Sequence, residues 1–165
     1  MNAADTKPVA HGSFTLERRF PAPPGRVFAA WTDPAIKQRW FTGPPHWTPI
    51  ERSLDVRVGG TETLHGRFEG AQPLETRFTA RYHEVLPDTR LVYAYDMHLN
   101  GQHHSVSLAT VEFVALEGGT RMRYTEQIVF LDGTPSDQGV PSRQGGTESL
   151  LDRMAQLFAH AEAQA

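Results

Sequence analysis

The sequence predicts an α+β fold: one antiparallel sheet with an apolar face covered by a single long C-terminal helix. Three observations lead there. From residue 47 to about 131 nearly every segment reads as strand or turn, in an order that implies consecutive hairpins. Helical spacing of apolar residues occurs only before and after that stretch. The last apolar stripe, Leu150, Leu151, Met154, Leu157, Phe158 and Ala161, is the one long enough to cover a sheet.

The elements follow in order. SFTLERRF alternates Phe14, Leu16 and Arg18 against Thr15, Glu17 and Arg19, the period of a strand. PAPPG ends it. Val27, Phe28 and Trp31 then fall at helical spacing. TDP starts a second short helix, with Thr32 or Asp33 as its cap and Pro34 in the first turn, where a missing N–H costs nothing. Ile36 and Trp40 stack one turn apart, and Phe41 closes the helix before GPP.

The strand region opens with ERSLDVRVGG and TETLHGRFEG, parted by glycines. TRFTARYHEVL and RLVYAYDMHL are joined by PDT. Asn100-Gly101 is a strong hairpin signal, and EGG joins VSLATVEFVAL to TRMRYTEQIVF. Val106 and Leu108 have one parity, Val111 and Phe113 the other, which predicts a bulge near Ala109 or Thr110. The final helix is expected from about residue 143 to 162. Gly145 and Gly146 fit a kinked start better than a close approach to a ligand.

The chain of 165 residues suits one domain, expected over 13–165 after a floppy leader at 1–12. A net charge of −3 speaks against nucleic acid as a partner. There is no cysteine, which excludes disulfides, thiolate catalysis and cysteine-ligated metals and fits a reducing cytoplasm. No apolar run approaches the roughly 20 residues that span a bilayer, and the start lacks the apolar core of a signal peptide. The expectation is a soluble, cytoplasmic protein.

The best-marked catalytic motifs are missing: no G-x-S-x-G, no phosphate-binding glycine loop, and His83-Glu84 without the second histidine of a zinc protease. A two-residue turn at Asn100-Gly101 sets His98 opposite His103, close enough to share a metal. His104 points to the other face, however, and no third ligand is near, so no metal and no cofactor is expected. Aromatics carry more information. Trp40, Phe41 and Trp47 cluster between helix and strand, while Phe68, Phe78, Tyr82, Tyr93, Tyr95 and Tyr124 occupy strand positions of inward parity. Such residues are ordinarily core. Two carboxylates share their rows, Glu62 with Leu64 and Phe68, and Glu126 with Met122, Tyr124 and Ile128. Aromatics with a few convergent polar groups are what a small-molecule pocket requires.

These residues and their order resemble a known family. FTLERRFPAPPGRVFAAWTDPAIKQRWF, then DVRVGG, EVLPDTRLVYAY, ATVEF, GGTRMRYTEQ and the LLDRMAQLF helix are similar to the START-like (SRPBCC) superfamily, in the group of homologues of the activator of the ninety-kilodalton heat-shock protein ATPase. The resemblance covers about residues 14 to 160. It implies a helix-grip fold: a curved antiparallel sheet wrapped around the C-terminal helix, two short helices after the first strand, and often a cavity between sheet and helix. The superfamily holds hydrophobic ligands there, and a minority of members are cyclases or hydrolases. The resemblance makes Thr32 to Phe41 a lid-like segment and turns Glu126 towards the cavity. It transfers no catalytic residue.

The leading expectation is therefore binding of a small, largely hydrophobic molecule. Trp40, Phe41, Trp47, Glu62, Phe68, Phe78, Tyr82, Tyr93, Tyr95, Tyr124, Glu126 and Met154 are the candidate contacts, with Trp40 and Phe41 at the mouth. A polyketide cyclase- or aromatase-type enzyme using the same cavity is the alternative, with Glu126 and a tyrosine or histidine moving a proton. A chaperone partner ranks lowest, because the namesake co-chaperone also depends on a separate domain. An exposed sheet edge or aromatic patch would support a homodimer. For Glu126 three states compete: a wetted strand end, a buried pair with Arg57, Arg77 or Arg143, and a polar anchor on the cavity wall. The last is the one expected.

Overall fold

The computed structural model describes residues 6–163. The first five residues of the expected leader lie outside it, as does the side chain of Ala161. Strand β1 (Ala10–Phe20) is followed by helices α1 (Pro24–Thr32) and α2 (Pro34–Lys37). Strands β2 (Trp47–Leu54), β3 (Thr61–Phe68), β4 (Leu74–Leu86), β5 (Arg90–Leu99), β6 (Gln102–Leu116) and β7 (Gly119–Phe130) lead to helix α3 (Ser136–Ala163). The strands form one antiparallel sheet in the order β1-β7-β6-β5-β4-β3-β2, the helix-grip arrangement. Because β7 pairs with β1, the meander from β2 to β7 ends beside the first strand and leaves β1 and β2 at the edges.

The start of β1 at Ala10 takes in three residues of the expected leader. Asp33 caps α2 as expected, its carboxylate accepting from the Ala35 N–H at 2.9 Å. That helix is a single turn, carried on to Phe41 by bonds such as Phe41 N–H to the Lys37 carbonyl, 2.8 Å. The Asn100-Gly101 turn also matches: both residues have positive φ, 51° and 78°, and His98 faces His103.

Two expectations are corrected. No bulge occurs at Ala109 or Thr110, where β6 and β7 pair without a break. The inner row of β6 is Ser105, Ser107, Ala109, Val111 and Phe113, and Val106 and Leu108 face outwards. Its first two members are serines, so apolar parity points to the wrong pair there. The irregularity lies at the hairpin instead, between Met97 and His98. Helix α3, in turn, begins at Ser136 and runs through Pro141. Pro141 gives no N–H to the carbonyl of Asp137, one lost bond near a helix start rather than a stop.

The inner face is continuous across strands. Ile128 on β7 pairs with Ser107, Ser107 with Tyr95, Tyr95 with Ala80, and Ala80 with Glu62. Helix α3 packs closest on β1 and β7, with Leu151, Met154 and Phe158 buried and Phe158 against Phe20 at 5.2 Å between rings. Close packing on one side of the sheet leaves α3 standing off β3, β4 and β5.

Candidate functional site

That gap is a cavity of about 910 Å³. Leu64 of β3, Phe78 of β4, Tyr93, Tyr95 and Met97 of β5 and Tyr124 of β7 make its sheet wall. The α2–β2 segment supplies Trp40, Phe41 and Trp47, and α3 supplies Arg143, Gly146, Leu150 and Arg153. Trp47 is held by contacts the sequence signals through a glycine inside a strand. A Cβ on Gly66 would stand 1.9 Å from the indole, whose N–H donates to Thr76 Oγ1 at 3.2 Å. Across the mouth, Arg153 donates to the Thr42 carbonyl at 2.7 Å and ties α3 to this segment.

Eight of the twelve expected contacts border the cavity: Trp40, Phe41, Trp47, Phe68, Phe78, Tyr93, Tyr95 and Tyr124. Trp40 does so as a core residue, not at the mouth as expected. It is 1% exposed, its indole N–H donates to the Ala30 carbonyl at 2.8 Å, and it meets Trp31 edge-on at 4.9 Å. Phe41, half-buried, is the more open of the pair. Met154 is fully buried and does not border the cavity.

Glu126 is also displaced from the expected wall. It lies one layer behind, fully buried, and the buried ion pair is the state found. Arg143 donates to its Oε2 at 2.9 Å, Tyr95 and Ser107 each donate to the same oxygen at 2.7 Å, and the Tyr124 hydroxyl donates to Oε1. The register explains the convergence, since Ser107 and Tyr95 are cross-strand partners and Glu126 pairs with the next inner residue, Ala109. Burial pushes the Tyr95 and Tyr124 phenols above their ordinary range, aided next by the Glu126 carboxylate at Tyr95 and by Tyr93 and then Glu126 at Tyr124, so both stay protonated as donors. Arg143 also donates to Ser105 Oγ at 2.7 Å. From this cluster the cavity meets the Arg143 guanidinium and the Tyr95 and Tyr124 side chains, with the carboxylate satisfied behind them.

Glu62, the second unexpected acid, is 2% exposed and is paired with Lys37, whose Nζ donates to Glu62 Oε1 at 2.7 Å. Tyr82, fully buried, donates to the same oxygen at 2.8 Å. Neither Glu62 nor Tyr82 borders the large cavity, but Lys37 does. Periodicity gives no sign of Lys37, because a lone lysine on a short helix reads as surface. Two of the hairpin histidines engage acids, His103 with Asp96 at 2.9 Å and His104 with Asp132 at 2.6 Å, while His98 stacks on His103 with ring centres 4.5 Å apart. Among the described residues no group of three metal-ligating side chains occurs, and no helix is long and apolar enough to cross a membrane.

The model of the family described as Activator of Hsp90 ATPase homolog 1-like protein matches residues 21–159. Among solved structures, the chain is similar to an uncharacterized protein from Rhizobium leguminosarum. That match has 38% identity and a TM-score of 0.83 over 93% of this chain and 97% of the other. The Mll3558 protein from Rhizobium loti is 41% identical, with a TM-score of 0.77 over 90% of this chain and 98% of that one. An AHSA1-like protein from Aeromonas hydrophila shares the fold at 22% identity and a TM-score of 0.68, covering 93% and 96% of the two chains. No curated protein matches the chain.

Proposed function

We propose that this chain, which belongs to the family described as Activator of Hsp90 ATPase homolog 1-like protein, binds a small and largely hydrophobic molecule between its sheet and α3. The observation that carries the reading is the cavity itself. Its volume of about 910 Å³ lies in the range of small-molecule sites, roughly 300–1,000 Å³, and its wall is mostly aromatic and aliphatic. A few polar groups converge on it, as such sites require for orientation. Arg143 is the foremost. Its guanidinium carries five N–H groups, and the Glu126 cluster and Ser105 use only part of them. A guest bearing a carbonyl, hydroxyl or carboxylate would find its donor there. The absence of cysteine accords with the cytoplasm as the location we propose.

The test is native mass spectrometry of freshly purified protein, followed by titration with the apolar dye 8-anilinonaphthalene-1-sulfonate. A retained small molecule, or saturable one-to-one dye binding abolished by filling the cavity, supports the reading. Dye binding indifferent to cavity-filling substitutions would refute it.

A further inference from the structure

The chain has only two lysines against fourteen arginines, and one of the two, Lys37, is 2% exposed. An ammonium group in an interior is costly unless paired and hydrogen-bonded. Here it is both. Nζ donates to Glu62 Oε1 at 2.7 Å and to the Tyr82 hydroxyl at 3.3 Å, and Tyr82 donates to the same carboxylate oxygen. Four aromatic rings surround it: Nζ lies 4.8 Å from the ring centre of Phe41 and 5.6, 5.9 and 6.0 Å from those of Trp31, Tyr93 and Trp40. Lys37 also borders two spaces. It is on the wall of the large cavity, and with Glu62 and Arg52 it lines a smaller one of about 270 Å³.

If anchoring α2 to β3 were the sole requirement, an apolar contact would serve as well or better, since buried ion pairs are poor stabilisers. The chemical distinction of an amine is its lone pair. Burial lowers the Lys37 pKa; the Glu62 charge and hydrogen bond oppose that, and nearby Arg52 adds to it. Burial holds the Tyr82 phenol protonated. A proton acceptor, a proton donor and an amine that can become neutral therefore meet at the edge of an apolar cavity.

We propose that Lys37 is a carbonyl-capturing amine, forming a reversible imine with an aldehyde or ketone group of a hydrophobic guest. This rests on the cavity being a ligand site. In the step, the Lys37 ammonium passes a proton to Glu62, and the neutral nitrogen attacks the carbonyl carbon. The carbonyl π pair moves to oxygen, which takes a proton from nitrogen to give the carbinolamine. The protonated Glu62 then returns its proton to the departing hydroxyl, and the nitrogen lone pair forms C=N as water leaves. Ammonium plus carbonyl becomes iminium plus water, with Glu62 again ionised. The iminium inherits the carboxylate and the aromatic cage that held the ammonium.

The experiment incubates the protein near pH 7 with 2-naphthaldehyde and cyanoborohydride, and maps the reduced adduct by peptide mass spectrometry. Lys7, exposed near the start of the chain, is the internal reference. The adduct is expected on Lys37 ahead of Lys7, by about tenfold for each unit that burial lowers its pKa. It should be lost in Lys37→Arg, which keeps the cation. Displacement of bound 8-anilinonaphthalene-1-sulfonate by 2-naphthalenemethanol, which has no carbonyl, reports the cavity separately. If the alcohol displaces the dye but the adduct falls on Lys7 and the amino terminus and spares Lys37, the amine proposal is overturned and the cavity reading stands. If the dye does not bind at all, both fail.

Discussion

Gly146 offers the sharpest test of where the cavity lies. It sits in the interior of α3, where glycine costs roughly 1 kcal/mol relative to alanine through lost backbone freedom. A Cβ built on it meets no atom within 4 Å, and the same holds for its neighbour Gly145. The two differ in one respect: Gly146 is on the cavity wall and Gly145 is not. Alanine at either position should therefore stabilise the protein by about 1 kcal/mol, raising Tm by roughly 2–4 °C for a chain of this size. Leucine has nearly the propensity of alanine and should stabilise similarly at Gly145, with dye binding unchanged. At Gly146 it should project into the cavity and weaken 8-anilinonaphthalene-1-sulfonate binding tenfold or more, about 1.4 kcal/mol. Gly139, further up the same helix, is the negative control. A Cβ there would stand 2.6 Å from the Phe130 ring, so Gly139→Ala should destabilise. Melting followed by circular dichroism and a dye titration read all of these. Equal binding by Gly145→Leu and Gly146→Leu would refute the placement of the cavity along α3.

Glu126→Gln removes one member of the pair with Arg143, and should destabilise by about 3–5 kcal/mol in urea unfolding, whereas joint replacement of Glu126 and Arg143 by Leu and Met should cost less than the single change. Trp40→Ala should lose the roughly 3–5 kcal/mol of a buried aromatic, and a loss well below that would restore it to the mouth. Burial opposes ionisation of Asp132, but donors from the Thr134 side chain and backbone and from His104 prevail and hold its pKa at about 2. A carboxylate depressed in the folded state contributes stability above its unfolded value and loses it on the way down to the folded one. Wild-type stability should accordingly fall between about pH 4 and pH 2 more steeply than that of Asp132→Asn; parallel acid limbs would remove Asp132 from the account.

The parts of the fold legible in the sequence are those where local chemistry and tertiary need agree. The first strand, the Asp33-Pro34 helix start, the Asn100-Gly101 turn and the Leu151–Phe158 stripe each state the same structure at both levels. Errors gather where a polar residue faces inwards. Ser105 and Ser107 hide the inner row of β6, because they are there to meet Arg143 and Glu126 and not to exclude water. The first half of α3 escapes a reading by apolar periodicity for a related reason. Its cavity-facing positions include Ser142, Arg143, Gly146 and Thr147, and a helix face standing over a cavity has no packed partner that would demand leucine or valine.

The same reasoning reinterprets the acids. A carboxylate in an apolar row correctly signals something other than plain core, but periodicity gives only the face of a strand and not the depth behind a wall. Glu126 and Glu62 share the inner face, and each is covered by a cation from an element distant in sequence, α3 in one case and α2 in the other. The cations, Arg143 and Lys37, are the groups that border the cavity. Each acid thus fixes the position and charge of the residue in front of it, so the chemistry presented to a guest is that of a guanidinium and an amine. This arrangement separates the roles that a strand-only reading merges. Substituting an acid should disturb folding and the placement of its cation, whereas Lys37→Arg should leave the cage charged and remove only the nucleophile.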